Sequence, residues 1–193
     1  MKTRHLTTED LEEAVQISEE YLGTSPQQFL DWYQQNQDLF VGIFDNGRLI
    51  GICFGMNFDR QPDTAVLEGI AVLHANWRSG AGSQLIQYFE AQVAKRGKTC
   101  ITLGSAPDLK TENFYMKNGY VPTQLRVSVP TADLPNNYQH LGYTFSDITQ
   151  DENEVILYIA VNERNKSFQQ KLEADLKADD VIFIFDKRFN QAD

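Results

Sequence analysis

Residues 65–97 predict a buried strand, a glycine-containing turn and an amphipathic helix in direct succession. The segment AVLEGIAVL, residues 65–73, is almost continuously apolar, which is typical of a strand covered on both faces. The turn HANWRSGAGS follows, and QLIQYFEAQVAKRG then repeats apolar residues at helical spacing. Amides at a helix N-terminus attract anions, and Gly80 and Gly82 allow a phosphate to approach the main chain. The segment therefore predicts a phosphate-binding turn, with a turn that merely requires two glycines as the alternative.

Two common phosphate-binding loops do not fit this turn. A P-loop requires Lys followed by Ser or Thr after its last glycine, whereas Gly82 is followed by Ser83 and Gln84. A dinucleotide-binding fold requires a third glycine and repeated parallel units. A different signal, ENFYMKNGY, comes about thirty residues later and places an aromatic pair in a short predicted helix.

The rest of the chain predicts a mixed α/β protein. Thr7 or Thr8 begins a first amphipathic helix, and Ser25 with Pro26 begins a second. Two β-rich runs, LFVGIF and LIGICFGMNF, are joined by Asn46-Gly47, which favours a type I′ hairpin turn. Further strands are predicted at TCITL and TQLRVSV.

The composition changes at Pro130. Residues 130–145 contain prolines and paired asparagines without periodicity, and a strand, a helix and a strand are predicted after them in EVILYIAV, SFQQKLEADLKA and DVIFIF. We therefore predict a core domain, 1–129, and a C-terminal β-α-β extension, 130–193. The extension either packs on the core and closes the chain's own sheet, or forms the interface of a homodimer.

The two motifs and the order of elements resemble the GNAT superfamily of acyl-CoA-dependent N-acetyltransferases over about residues 3–129. That family has a Gln/Arg-x-x-Gly-x-Gly/Ala turn after a strand, and later an aromatic-Tyr pair before Gly-Phe or Gly-Tyr. Trp77 stands where Gln or Arg is usual, with Arg78 one residue late, and Asp108 stands where Asn is frequent. The resemblance implies an α/β (α+β) fold with a mixed central β-sheet flanked by helices.

The resemblance also implies acetyl-CoA as the co-substrate, without a metal. The residues expected to hold it are the strand end and the turn: Ile70, Ala71, Val72, Arg78, Ser79, Gly80, Ala81, Gly82 and Ser83. The amide of Val72 is expected to stabilise the oxyanion of the tetrahedral intermediate.

Two catalytic residues follow from the resemblance. Tyr115 matches the helical tyrosine whose hydroxyl protonates the departing thiolate or orients the thioester sulfur, the alternative being a core aromatic. Glu68 matches a strand glutamate that deprotonates the amine directly or through water. A structural role for Glu68, and Asp108 as another base, remain alternatives.

The charge of the chain limits the classes of partner that it is expected to bind. The chain has 27 Asp and Glu against 17 Lys and Arg, a formal net charge of -10, which argues against binding to nucleic acid or anionic membranes. Residues 74–117 carry six basic and three acidic side chains, which predicts a basic strip for the coenzyme. The resemblance places the acceptor beside the first two helices, the loop before the coenzyme strand and the C-terminal strands. These parts contain Asp31, Trp32, Tyr33, Asp59, Asp63 and the acidic extension, which favours a cationic amine.

The sequence also predicts the cellular location of the protein and the state of its two cysteines. The chain has neither an apolar run long enough to cross a membrane nor the apolar core of a signal peptide, which indicates a cytoplasmic protein. Cys53 and Cys100 lie in apolar strands and are expected to be buried thiols.

The predicted function is transfer of an acetyl group from acetyl-CoA to a primary amine of a small molecule or peptide, by direct attack of the amine. The alternative is a non-catalytic sensor or interaction module of the same fold that binds acyl-CoA, and Trp77 is the residue that favours it.

Overall fold

The computed structural model describes residues 1–59 and 61–189, which form two compact units. The first unit comprises Met1–Thr102 together with the chain from Arg188, and the second comprises Leu103–Lys187. The helices and strands of the first are β1 (Lys2–His5), α1 (Leu11–Leu22), α2 (Pro26–Gln35), β2 (Phe40–Asp45), β3 (Arg48–Asn57), β4 (Thr64–Val72), α3 (Ala81–Lys95) and the beginning of β5 (Cys100–Gly104).

The strands of the first unit are ordered β1-β2-β3-β4-β5. Strands β1 to β4 are antiparallel neighbours, whereas β5 runs parallel to β4. The turn between β2 and β3 has positive φ at both Asn46, +49°, and Gly47, +83°, as a type I′ turn requires. The predicted hairpin is therefore confirmed.

Local signals in the sequence explain the end of α1 and the start of α2. Gly23 ends α1 with φ +68°, and its amide donates to the Glu19 carbonyl. The Ser25 hydroxyl accepts a hydrogen bond from the Gln28 amide at 3.3 Å, and Pro26 occupies the first helical position of α2.

An aromatic core fixes these helices to the sheet. Phe29 of α2 packs edge-on against Phe40 and Phe54, with ring centroids 5.2 and 5.0 Å apart. All three side chains are fully buried. Such pairs each add about 0.5–1.5 kcal/mol beyond area burial. These contacts hold α2 against β2 and β3.

The second unit contains the rest of β5, α4 (Leu109–Lys117), β6 (Val121–Pro130), β7 (Asp147–Gln150), β8 (Glu154–Ala160), α5 (Lys166–Leu176) and β9 (Asp180–Arg188). Its strands are ordered β9-β6-β8-β7, and every neighbouring pair is antiparallel. Strands from the C-terminal region thus flank β6 on both sides. The division into domains 1–129 and 130–193, and a homodimer, stay predictions.

The α/β fold class is confirmed, but the sequence interpretation missed β1 and β7. Both are four-residue strands without apolar alternation, KTRH and DITQ. Each forms through its ladder with one neighbouring strand rather than through its own pattern, so periodicity gave no signal. Residues 190–193 of the predicted extension lie outside the described residues.

In the described residues, no helix is both long enough and apolar enough to span a bilayer. The cytoplasmic location stays a prediction. Cys53 and Cys100 are both buried free thiols, as expected. Desolvation, with the charge of Glu90, raises the pKa of Cys53 and keeps this thiol neutral.

Candidate functional site

Strand β4 carries a bulge at the residue proposed as a base. The β3–β4 register pairs Phe54 with Gly69 and Gly55 with Leu67, which leaves Glu68 as the extra residue. Bulges bend a strand and redirect its side chains, and they recur beside active sites.

The second half of β4 has an open side. Among the described residues, the parallel ladder with β5 covers Thr64–Val66 and does not reach the end of β4. The amide of Leu73 donates to the Ile50 carbonyl of β3 at 2.9 Å. Because main-chain groups alternate along an antiparallel ladder, those of Val72 and Ile70 point away from β3. They are available on the open side of the strand.

Ala71 faces the other way. The same alternation turns its main chain toward Ile52 of β3, its register partner. Of the three strand residues expected to bind the coenzyme, Ile70 and Val72 therefore present main-chain groups on the open side, whereas Ala71 belongs to the ladder.

The turn after β4 leads into the N-terminus of α3. Gly80 is the N-cap residue, with φ +87°, and a Cβ built on it would meet nothing within 4 Å. The first helical hydrogen bond runs from the Gln84 amide to the Gly80 carbonyl at 3.1 Å. The amides of Gly82 and Ser83 therefore precede the helical ladder.

No acidic residue lies in the first turn of α3. The N-terminus of this fifteen-residue helix has open space beside Gly80, and helix amides of this kind can hold a pyrophosphate. Phosphate binding by Gly80, Ala81, Gly82 and Ser83 stays a prediction, and this geometry is compatible with it.

Two side chains hold the turn. The Ser79 hydroxyl donates to the Asn76 carbonyl at 2.6 Å and accepts from the Ala81 amide at 3.3 Å. The Trp77 indole Nε1 donates to the Val72 carbonyl at 2.6 Å. Arg78 has a left-handed φ of +62°, and its exposed side chain has no hydrogen bond or ion pair with the residues described. Its guanidinium is free to meet an anion.

The predicted basic strip does not form one patch. Helix α3 is about 22 Å long at 1.5 Å per residue, so Lys95, Arg96 and Lys98 lie at the end opposite the turn. Arg96 is also engaged by Asp38 in an ion pair. These basic residues are close in sequence, which suggested a strip, but the length of α3 places them far from the turn. Within the first unit, Arg78 is the cation placed at the turn.

Glu68 has an altered acidity. Its side chain reaches solvent, yet the surrounding protein desolvates the carboxylate and raises its pKa. A raised pKa moves a carboxylate toward the range in which a base works at neutral pH. This shift supports the functional interpretation of Glu68.

Tyr115 lies on α4 in the second unit and is 5% exposed. Its ring packs with Phe114, Tyr120 and Phe185, at centroid distances of 5.4, 5.9 and 6.1 Å. This packing fixes the ring in one orientation. It is compatible with either a core role or a hydroxyl held for chemistry.

The Lys-Asn-Gly-Tyr motif after Tyr115 has a structural explanation. Gly119 has φ +86°, its amide donates to the Met116 carbonyl at 3.0 Å, and the Tyr120 amide donates to the Tyr115 carbonyl at 3.1 Å. This is a Schellman motif, and the Tyr115–Tyr120 ring contact is its accompanying apolar pair. The motif therefore fixes the end of the helix, two residues after Tyr115.

Asp108 caps the other end of α4. Although desolvation opposes ionisation, hydrogen bonds from Thr111 and Lys110 outweigh it and lower the pKa of the carboxyl. The amides of Lys110 and Thr111 donate to it at 2.9 and 3.0 Å. A capping carboxylate with a lowered pKa is a poor base, and the identity of the base stays a prediction.

A buried ion cluster on α4 was not predicted. Glu112 is completely buried and accepts from Lys166 at 2.7 Å, with Arg164 at 3.5 Å. Both cations precede or begin α5, about fifty residues later, so no local spacing could have revealed them. The cluster ties the helix that carries Tyr115 to the C-terminal region.

In the part of the chain that the structure covers, no group of three or more His, Cys, Asp or Glu is arranged to hold a metal ion. The first unit offers main-chain amides and one carboxylate with a raised pKa, and the second unit, described by itself, offers the buried phenol of Tyr115.

Comparison with known proteins shows the family to which the chain belongs. The sequence model of the acetyltransferase (GNAT) family matches residues 2–120. The chain belongs to the GNAT acetyltransferase family. A search of curated proteins found no significant match.

Solved structures show the same fold. Ard1 from Thermoplasma volcanium is 22% identical, with a TM-score of 0.58, over 84% of this chain and 98% of that one. The ribosomal-protein-S18-alanine N-acetyltransferase from Escherichia coli is 20% identical, with a TM-score of 0.55, over 86% and 96%. The structure of yncA from Salmonella typhimurium with its cofactor acetyl-CoA is 14% identical, with a TM-score of 0.57, over 86% and 95%.

Proposed function

We propose that this chain is an N-acetyltransferase that moves the acetyl group of acetyl-CoA to a primary amine of a small molecule or peptide. The observation that carries the proposal is the junction of β4 and α3, where an open strand side meets the amides of Gly82 and Ser83 that precede the helical ladder. Membership of the GNAT family and a structural neighbour that holds acetyl-CoA support the same donor.

Main-chain groups, with the side chain of Arg78, are proposed to hold acetyl-CoA, the acyl donor. The amides of Gly82 and Ser83 and the Arg78 guanidinium would hold the pyrophosphate, and the outward main-chain groups of Ile70 and Val72 would hold the pantetheine arm. When bound, acetyl-CoA supplies an acetyl group already activated as a thioester. The Val72 amide is the donor proposed for the developing oxyanion.

Glu68 is the proposed base. An alkyl ammonium with a pKa near 10.4 is only about one part in a thousand neutral at pH 7, so a proton must be removed before attack. The carboxylate of Glu68, with its pKa raised by desolvation, accepts this proton directly or through water.

Tyr115 is the proposed acid. A free phenol has a reference pKa near 10, so it can donate a proton to a thiolate of comparable basicity, and the Tyr115 hydroxyl is proposed to protonate the departing thiolate. The Schellman motif and the ring contacts hold the side chain, which supports a role that depends on orientation.

A cationic acceptor agrees with the charge of the first unit. Residues 6–47, which include α1 and α2, contain nine Asp and Glu and no Lys or Arg. Arg4 binds Asp10, Arg96 binds Asp38, and the terminal amine lies 3.7 Å from Asp45. Glu12, Glu13, Glu19 and Glu20 of α1 are exposed and would attract a cation.

Not all residues expected around the acceptor are available. Tyr33 is buried, and its hydroxyl donates to the Leu6 carbonyl at 3.4 Å. The side chain of Asp63 accepts from the hydroxyls of Thr64 and Thr99 at 3.2 Å. These two residues support the fold, so the proposed acceptor surface rests on the acidic residues of α1 and α2.

The function is tested with a panel of polyamines, aminoglycosides and lysine-containing peptides, with thiol detection of released CoA. We expect release above hydrolysis with at least one cationic amine, and weaker activity as salt screens the acidic surface. Binding of acetyl-CoA without release in the presence of any amine would favour the sensor module instead.

A further inference from the structure

Trp77 is a large apolar residue that the turn leaves 53% exposed. Its ring lies tilted against His74, with centroids 4.1 Å apart. His74 in turn contacts Tyr21 of α1, with ring centroids 5.2 Å apart and the hydroxyl 3.5 Å from Nδ1. The three rings connect the turn to α1.

The indole also makes a polar contact with β4. Its Nε1 donates to the Val72 carbonyl at 2.6 Å, which is short for an N–H···O hydrogen bond. This carbonyl is on the open side of the strand, where it has no partner in the ladder with β3. Trp77 therefore ties the turn to the end of the strand through one side chain.

The turn needs such a restraint. Arg78, directly after Trp77, has φ +62°, a left-handed conformation that is unfavourable for residues with a Cβ. Gly80 is also left-handed, and its Cβ position faces open space. A segment with two left-handed residues and few packing contacts keeps one conformation only when neighbouring groups hold it.

We infer that Trp77 is a positioning residue for the acyl donor. This inference rests on the proposed function. The indole holds the turn in the conformation that directs the amides of Gly82 and Ser83 at the pyrophosphate, so the ordering cost of the turn is met before binding. A carbonyl has two lone pairs, so Val72 can still accept a second hydrogen bond from the pantetheine arm.

The test compares Trp77→Phe with wild type by calorimetric titration with acetyl-CoA. Phe retains a ring against His74 but removes the indole N–H. Loss of one hydrogen bond of this kind predicts an affinity about three- to tenfold weaker. With an acceptor amine in hand, KM for acetyl-CoA rises and kcat stays near the wild-type value. Unchanged or tighter binding would overturn the inference.

A second measurement uses the fact that Trp32 and Trp77 are the two tryptophans of the chain. In Trp32→Phe, the remaining emission comes from Trp77, and we expect acetyl-CoA to change it. In Trp77→Phe, the emission comes from Trp32 in α2, and we expect no change. A Trp77 signal that stays constant while calorimetry records binding would count against the inference.

Tyr138→Phe, an aromatic substitution in the second unit, serves as the control for ring replacement and should bind acetyl-CoA as wild type does. If wild type itself binds no acetyl-CoA, the proposed function fails. If wild type binds and Trp77→Phe binds equally well, the inference about Trp77 alone fails.

Discussion

The turn before α3 and the helix α4 are built in opposite ways. The turn is open to solvent and is formed by main-chain amides, with Trp77 and Ser79 bonding to carbonyls five and three residues earlier. Helix α4 instead buries Glu112 and Tyr115, and it is held by side chains about fifty residues further along the chain. The first arrangement suits recognition of an anion, whereas the second suits orientation of one hydroxyl.

The largest expected effect concerns the cluster that holds α4. Lys166→Met removes the 2.7 Å partner of a fully buried carboxylate and leaves the weaker contact with Arg164. Breaking a buried pair in this way costs about 3–5 kcal/mol, so we expect a much lower midpoint in urea unfolding.

Lys171→Met is the matched control, because Lys171 is on the same helix and also pairs with a carboxylate, that of Asp175. This pair is exposed, so its loss should leave the midpoint near that of wild type. Equal midpoints for the two variants would contradict the structural role assigned to Glu112.

Tyr115→Phe tests the hydroxyl while keeping the ring that packs on Phe185. We expect turnover to fall about 10³-fold with little change in acetyl-CoA affinity, since proton transfer by a positioned group contributes about 10²- to 10⁴-fold. Tyr120→Phe removes a hydroxyl from the adjacent buried ring and should affect turnover far less. Wild-type turnover in Tyr115→Phe would remove this residue from the chemistry.

Glu68→Gln tests the base through the pH profile. Only the carboxylate form accepts a proton, so wild-type kcat/KM should fall as pH decreases through the raised pKa of Glu68. The variant should lose this acid limb and about 10²-fold in rate. Glu173→Gln, an exposed carboxylate of α5, should keep the limb. If the pH dependence of kcat/KM were unchanged in Glu68→Gln, another residue would be the base.

The smallest expected effect is that of an alanine substitution at the turn, and a matched substitution elsewhere distinguishes lost stability from lost binding. Gly80→Ala and Gly23→Ala both place a Cβ on a left-handed residue in open space, with φ +87° and +68°. Each should cost about 1–2 kcal/mol of stability. Only Gly80→Ala should also weaken acetyl-CoA binding, because only its methyl group occupies the space above the amides of α3. Equal affinities in the two variants would contradict a phosphate site there.

The difference between the two regions also explains what the sequence could predict. The turn, the hairpin at Asn46-Gly47 and the cap at Ser25 depend on neighbouring residues, so their spacing carried the information. The partners of Glu112 depend on tertiary packing. The prediction of a basic strip was wrong within the first unit, because the length of α3 separates the basic residues in space. Strands β1 and β7 were missed because short polar strands form only through pairing with a neighbouring strand.

Donor binding is tested by calorimetric titration of the wild-type chain with acetyl-CoA at two salt concentrations. We expect binding at one site per chain, weaker at the higher salt concentration because the pyrophosphate is held by helix amides and Arg78. No binding at either concentration would contradict the proposed function.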